Sequence, residues 1–113
     1  MNIKIYHNPR CSKSRQALSL ITEGGNEPEI VEYLKTPPTR EELAEVMTMI
    51  GDDYMSMVRV KEEAFRPYKG KELTKSEVLE LLTDNPKLIE RPIVIVQKKA
   101  AVCRPPEKVN DLL

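Results

Sequence analysis

The sequence predicts an α/β fold, a mixed four-stranded sheet with flanking helices and a helical insertion at about residues 39–84. Three observations predict it. A strand, a helix and a strand open the chain, two helix-start motifs follow, and a β-branched run with a return strand comes near the end. A right-handed crossover makes the first two strands parallel. The length of 113 residues fits one domain, residues 1–113.

The spacing of apolar residues, together with the proline and glycines that end each element, predicts a β-α-β unit at the start of the chain. Isoleucines alternate with polar residues over 2–6, which predicts a strand, and Pro9 ends it. Helical spacing starts at Ser12 and stops at Gly24-Gly25. Residues 29–34 predict the second strand.

The middle of the chain is predicted to be helical. Capping boxes begin at Thr39 and at Thr74, each with a glutamate three residues later, so each predicts a helix start. Between these helices we expect another short helix at 54–60 and a loop at 62–73.

The last part predicts a hairpin and a helix. Residues 93–96 are a continuous β-branched run, which indicates a buried central strand. A turn at 97–99 and a return strand at 100–103 follow. Pro105-Pro106 is expected to open a final helix.

Charge is balanced overall but unevenly distributed. The chain has 18 basic and 18 acidic residues, and aromatic residues make up 4%. Balanced charge and few aromatic rings argue against binding to nucleic acid or a membrane surface. Residues 1–22 and 91–106 nevertheless hold four basic residues each and no acidic one. These two segments either converge on one anionic ligand or are separate solvated patches.

Cysteine use and hydropathy predict the compartment. The two cysteines lie 92 positions apart, which is no disulfide framework. We find no apolar run of about 18 residues and no secretory signal, so we expect a cytoplasmic protein with reduced thiols. No metal site is predicted.

Cys11 is the predicted nucleophile. It lies between the first strand and the first helix, near Arg10, Lys13 and Arg15, and no acidic residue precedes Glu23. A thiol at a helix N-terminus in a positive field has a lowered pKa and reacts as the thiolate. The alternative is a buried structural thiol, which the polar and basic flanks disfavour.

Two residues flank that thiol in sequence. His7 is the only histidine, and it either raises the thiolate fraction or is structural. Ser14 stands where a C-x-x-C redox pair has its second cysteine, so Cys11 would need an external thiol to complete a redox cycle. The Ser14 hydroxyl is also a candidate donor to the Cys11 sulfur or a helix-start residue.

Arg91 and Arg104 bracket the predicted hairpin. Guanidinium groups match tetrahedral oxyanions, although surface arginines with stems covering apolar area are the alternative. Cys103 either pairs with Cys11 or is a bystander thiol, and we favour the bystander.

Three motifs in order resemble a known family, the glutathione- and glutaredoxin-dependent arsenate reductases, in its shorter branch. The motifs are Tyr6-His7-Asn8-Pro9-x-Cys11-x-x-Ser14-Arg15, Glu90-Arg91-Pro92-Ile93-Val94 and Cys103-Arg104-Pro105. The resemblance covers essentially the whole chain and implies a thioredoxin-like fold, in which Pro92 is expected to be a cis-proline facing the thiol.

The resemblance also implies roles for residues. Cys11 matches the nucleophile that attacks arsenate, and His7 matches the residue that helps to lower the thiol pKa. Arg91 and Arg104 match two of three oxyanion-binding arginines. The third matches Arg59, with Arg66 as the neighbouring alternative. Arg15 and Pro92 are implied to be structural residues near the site.

The implied activity is an oxidoreductase of arsenical resistance that reduces arsenate to arsenite. It binds no cofactor and uses glutathione as co-substrate and glutaredoxin as protein partner. Two alternatives remain on the same fold. One is a non-enzymatic regulator that binds RNA polymerase, which the absence of a second cysteine at Ser14 disfavours. The other is a glutathione-linked thiol transferase with a different substrate.

Overall fold

The computed structural model describes residues 2–113. Its sheet has four strands, which are β1 (Ile3–His7), β2 (Glu29–Glu32), β3 (Ile93–Val96) and β4 (Lys99–Val102). Their order is β2-β1-β3-β4, with β1 and β2 parallel and the other two pairs antiparallel. This confirms the predicted thioredoxin-like mixed sheet, with the β-branched run as an inner strand.

Three α-helices accompany the sheet, α1 (Ser12–Glu23), α2 (Arg40–Ile50) and α3 (Lys75–Asp84). Both predicted capping boxes are formed. In the first, Glu42 N–H donates to Thr39 Oγ1 at 3.1 Å and Thr39 N–H donates to the Glu42 carboxylate at 2.9 Å. The starts of α2 and α3 are therefore capped by their own side chains, as the sequence predicted.

Strand limits differ from the sequence prediction by one or two residues. β1 starts one residue later and includes His7. β2 ends at Glu32 because its carbonyl accepts the N–H groups of Lys35 and Thr36, at 3.0 and 2.9 Å, in a turn. The β3–β4 turn has only two residues, since Val96 pairs with Lys99.

Two predicted helices are 3-10 helices instead, and one predicted loop contains a 3-10 helix. The predicted helix at 54–60 is a 3-10 helix over Gly51–Met57, and the loop at 62–73 contains another over Glu63–Tyr68. The final helix is also 3-10, over Pro106–Asp111. Its Lys108 N–H donates three residues back, to the Pro105 carbonyl. These segments are six or seven residues long, too short for an apolar period to distinguish the two helix types. A further turn of 3-10 helix covers Pro86–Leu88.

The sheet separates two apolar clusters because side chains alternate along each strand. One cluster packs Ile3, Ile5 and Val94 against α1 and the final 3-10 helix. The other, larger cluster packs Tyr6 and Ile93 against the helical segment between β2 and β3. Among residues 2–113, no helix is both long and apolar enough to cross a membrane.

Candidate active site

Cys11 is the N-cap residue of α1 and follows a tight turn after β1. The Cys11 N–H donates to the Asn8 carbonyl at 3.0 Å, and the Arg15 guanidinium donates to the Pro9 carbonyl at 2.9 Å. No acidic residue lies in the first turn of α1. The turn therefore places the sulfur at the positive end of the helix dipole. Arg15, which belongs to α1, stabilises this turn through its hydrogen bond to Pro9.

The Cys11 thiol has a lowered pKa despite its burial. Burial alone would raise that pKa. Hydrogen bonds from the backbone N–H groups of Ser14 and Lys13 lower it, as do the guanidinium of Arg104 and the charge of Arg91. Arg104 Nη1 lies 3.6 Å from Cys11 Sγ. The lowering contributions prevail, so the thiolate is more populated than in an ordinary cysteine.

His7 and Ser14 contact each other beside the thiol. His7 Nδ1 lies 2.7 Å from Ser14 Oγ, and the same hydroxyl accepts the Asn8 N–H at 3.1 Å. Both side chains are buried. The backbone N–H of Ser14 therefore stabilises the Cys11 thiolate, while the Ser14 hydroxyl contacts His7. The sequence had left open whether the hydroxyl contacts the sulfur.

His7 is held in its neutral form. Burial lowers the pKa of its imidazole; Glu32 opposes this, and Arg15 adds to the lowering. A neutral ring contributes no positive charge to the thiolate. We therefore expect any effect of His7 on Cys11 to pass through the contact with Ser14.

Arg91 and Arg104 meet at the open end of the β3–β4 hairpin. Arg104 Nη1 donates to the Arg91 carbonyl at 2.9 Å, and Cys103 N–H donates to the Pro92 carbonyl at 2.9 Å. Because β3 is antiparallel to β1, this end of the hairpin lies beside the Cys11 turn. The Arg91–Pro92 and Arg104–Pro105 peptide bonds are both cis, and the first agrees with the sequence expectation.

Arg59 completes a group of three guanidinium-bearing residues around one cleft. A bridge between Val58 and Ile89 joins its segment to the residues before β3, and the Arg59 N–H donates to the Leu88 carbonyl at 2.8 Å. The cleft has a volume of about 310 Å³. Its lining residues are Arg59, Val60, Lys61, Glu62, Glu90, Arg91 and Arg104.

Arg66 is not part of that cleft. Its side chain is 77% exposed and lies 4.0 Å from the Glu63 carboxylate on the 3-10 helix. Of the two alternatives for the third arginine, the structure therefore brings Arg59 together with Arg91 and Arg104, and leaves Arg66 outside.

Two residues that the sequence analysis did not single out belong to the site. The Glu90 carboxylate lies 2.9 Å from Arg91 Nη1. Tyr33 is fully buried, and within residues 2–113 its hydroxyl and Arg91 Nε are the two buried side-chain polar atoms without a hydrogen-bond partner. The Asn8 side chain lowers the pKa of this hydroxyl, but the two groups are not in hydrogen-bonding geometry.

The position of Tyr33 follows from the sheet topology. β1 and β2 are parallel, so the residues after His7 and those after Glu32 lie at the same edge. Tyr33 is the first residue after β2, as the Cys11 turn follows β1. Burial raises the pKa of the Tyr33 hydroxyl, which Arg91 and Arg59 lower and Cys11 raises. The hydroxyl is thus protonated, and its pKa responds to the charges of Cys11 and of two of the arginines.

Cys103 lies away from this chemistry. Both cysteines are free, and Cys103 is buried in the cluster that faces α1. Burial raises the pKa of its thiol to about 12, with Lys108 lowering it and Asp111 raising it. Its thiol is therefore protonated and unpaired with Cys11, and its role as a bystander stays a prediction.

Comparison with known proteins identifies the family. The model of the ArsC family matches residues 6–112. The chain is 44% identical to an arsenate reductase of Neisseria meningitidis, covering 98% of this chain and 97% of that protein. It is 41% identical to the uncharacterized protein YfgD of Escherichia coli, over 98% and 96% of the two chains. The structure of an arsenate reductase from Vibrio cholerae superposes with a TM-score of 0.91 at 38% identity, covering 100% of this chain and 98% of that one. The chain belongs to the ArsC family.

Proposed function

We propose that this protein reduces arsenate to arsenite, with Cys11 as the single nucleophile and glutathione and glutaredoxin as reductants. The observation that carries this proposal is a thiol of lowered pKa whose sulfur lies 3.6 Å from Arg104, beside a cleft lined by three arginines. Relatives named arsenate reductase support the choice of oxyanion.

The arginine cleft is suited to the first step. The guanidinium groups of Arg59, Arg91 and Arg104 would hold an arsenate dianion, since their planar forks match tetrahedral oxyanions. The Cys11 thiolate attacks arsenic, an S–As bond forms, and one As–O bond breaks with loss of hydroxide or water. Arsenic stays pentavalent in this step, so no electrons are transferred yet.

Reduction then needs two outside thiols. Glutathione displaces a second oxygen from the adduct, again as water. The glutaredoxin thiolate attacks the glutathione sulfur. The bond between that sulfur and arsenic breaks, and its electron pair passes to arsenic. Arsenic becomes trivalent while the two thiols become a mixed disulfide. Water releases arsenite from Cys11.

The lack of a reactive second thiol near Cys11 supports the need for outside thiols. Ser14 lies where a resolving cysteine would be, and Cys103 is buried, with its pKa raised. Neither position offers Cys11 a reactive thiol for an internal disulfide.

A coupled assay tests the proposal. Arsenate, glutathione, glutaredoxin, glutathione reductase and NADPH are combined, and arsenate-dependent NADPH consumption is measured. We expect turnover that is lost in Cys11→Ser and retained in Cys103→Ala, the matched control. Parallel reactions without glutaredoxin, or with thioredoxin and its reductase in its place, identify the reductant.

Three outcomes would contradict the proposal. Turnover that survives in Cys11→Ser excludes the nucleophile, and turnover supported equally by thioredoxin excludes the assigned reductant. No turnover with arsenate, together with capture of RNA polymerase by the folded protein, would favour the regulator instead.

A further inference from the structure

The Glu90 carboxylate lies between the two guanidinium groups nearest the thiol. Its Oε1 atom accepts a hydrogen bond from Arg91 Nη1 at 2.9 Å and from the Arg91 backbone N–H at 3.2 Å. The same oxygen is 4.0 Å from Arg104 Nε. One carboxylate oxygen is thus shared by both arginines, as an oxygen of a bound oxyanion would be.

This contact is more enclosed than an ordinary surface ion pair. The Glu90 side chain is 22% exposed and that of Arg91 is 17% exposed. Partial burial reduces screening by solvent, so the carboxylate holds the guanidinium groups in place more firmly than an exposed partner would.

A second carboxylate provides an internal comparison. Glu62 lines the same cleft and lies 3.1 Å from Arg59 Nη2. It is paired with one arginine, whereas Glu90 lies between two. The two glutamates therefore differ in the number of oxyanion-binding groups that each occupies.

We propose that Glu90 is a positioning residue that stands in for the oxyanion in the empty cleft. It aligns Arg91 and Arg104 before substrate arrives, and it competes with substrate for both. An entering tetrahedral dianion takes the position of Oε1, and the Glu90 carboxylate turns toward solvent. This rests on the proposed function, since it assigns the arginine cleft to an oxyanion.

Binding of inorganic sulfate, a dianion that is not reduced by thiols, tests the competition directly. Calorimetry at constant ionic strength compares the wild type with Glu90→Gln, which keeps the shape and removes the charge. We expect sulfate to bind about ten-fold more tightly to the variant, because a carboxylate beside the anion is lost. The KM for arsenate should fall in parallel while kcat does not rise.

Two further variants serve as controls. Glu62→Gln removes a charge from the same cleft but frees only one arginine, so the gain should be smaller, about three-fold. Glu63→Gln removes a charge outside the cleft and should leave sulfate binding unchanged. An equal gain in sulfate affinity in Glu62→Gln and Glu90→Gln would show that Glu90 acts only through its net charge, and would overturn the proposal.

The crystal structure of the wild type soaked in sulfate gives a test that needs no variant. A sulfate oxygen near Arg91 Nη1 and Arg104 Nε, with Glu90 turned away, supports displacement. Sulfate in the cleft with the Glu90–Arg91 contact intact overturns it.

Failure of this inference is distinguishable from failure of the proposed function. Sulfate that binds no more tightly to Glu90→Gln overturns the competition, even where the wild type reduces arsenate. Tighter sulfate binding in a protein that reduces no arsenate leaves the role of Glu90 standing and removes the proposed reaction.

Discussion

Replacing Arg104 by glutamine should raise the pKa of the Cys11 thiol by about one unit. The Arg104 guanidinium is 3.6 Å from the sulfur. Two unit charges about 4 Å apart interact by about 1 kcal/mol in water and about 4 kcal/mol near a protein surface. The Arg104 side chain is 34% exposed, so the lower part of that range applies. A contribution of about 1.4 kcal/mol corresponds to one pKa unit.

Ultraviolet absorbance of the thiolate, followed against pH, measures this shift. Burial raises the pKa of the Cys103 thiol to about 12, so its ionisation should be separated from that of Cys11. Arg66→Gln is the matched control, since it removes an exposed guanidinium outside the cleft. His7→Ala should raise the Cys11 pKa less than Arg104→Gln does, because the imidazole is neutral and contacts Ser14.

An unchanged Cys11 pKa in Arg104→Gln would refute this reasoning. The thiolate would then depend on the backbone N–H groups of the first helical turn alone. A larger shift in His7→Ala than in Arg104→Gln would refute the assignment of His7 to an indirect role.

Further predictions concern stability, measured by urea unfolding. Burial lowers the pKa of His7, so below pH about 6.5 the unfolded chain binds more protons than the folded one and stability falls on acidification. His7→Gln should reduce the loss of stability between pH 8 and pH 5, and an unchanged loss would contradict the burial of a neutral ring. Tyr33→Phe removes a buried hydroxyl without a partner and should stabilise the fold by about 1 kcal/mol; destabilisation would show that the hydroxyl is hydrogen-bonded. Thr39→Ala and Thr74→Ala should each cost about 1 kcal/mol, whereas replacement by serine should cost less, and equal losses would contradict the capping contacts.

The features that depend on nearby residues were predictable from the sequence. The position of Cys11 at a helix start follows from a strand pattern, a proline and a helical pattern within a dozen residues. The two capping boxes are likewise local, and both formed as predicted. The hairpin brought Arg91 and Arg104 together because its antiparallel register is set by a short turn.

The features that depend on distant contacts were less accessible. The sequence favoured Arg59 over its neighbour Arg66 only weakly, and the Val58–Ile89 bridge distinguishes them. In the sequence, Tyr33 is one aromatic residue at the end of a predicted strand, and nothing marks it as a site residue. The parallel pairing of β1 and β2 places it at the same sheet edge as the Cys11 turn. Glu90 belonged to a motif, but its side-chain contact with Arg91 is one that sequence spacing does not reveal.

The Val58–Ile89 bridge also has a consequence for motion. It joins the helical segment, which supplies Arg59, to the sheet portion, which supplies Arg91 and Arg104. An anion held by all three would fasten these two parts together and make local opening of the junction less frequent. The amide hydrogens of Arg59 and Glu90, which donate across the junction to Leu88 and Met57, should then exchange with deuterium more slowly when the cleft is occupied.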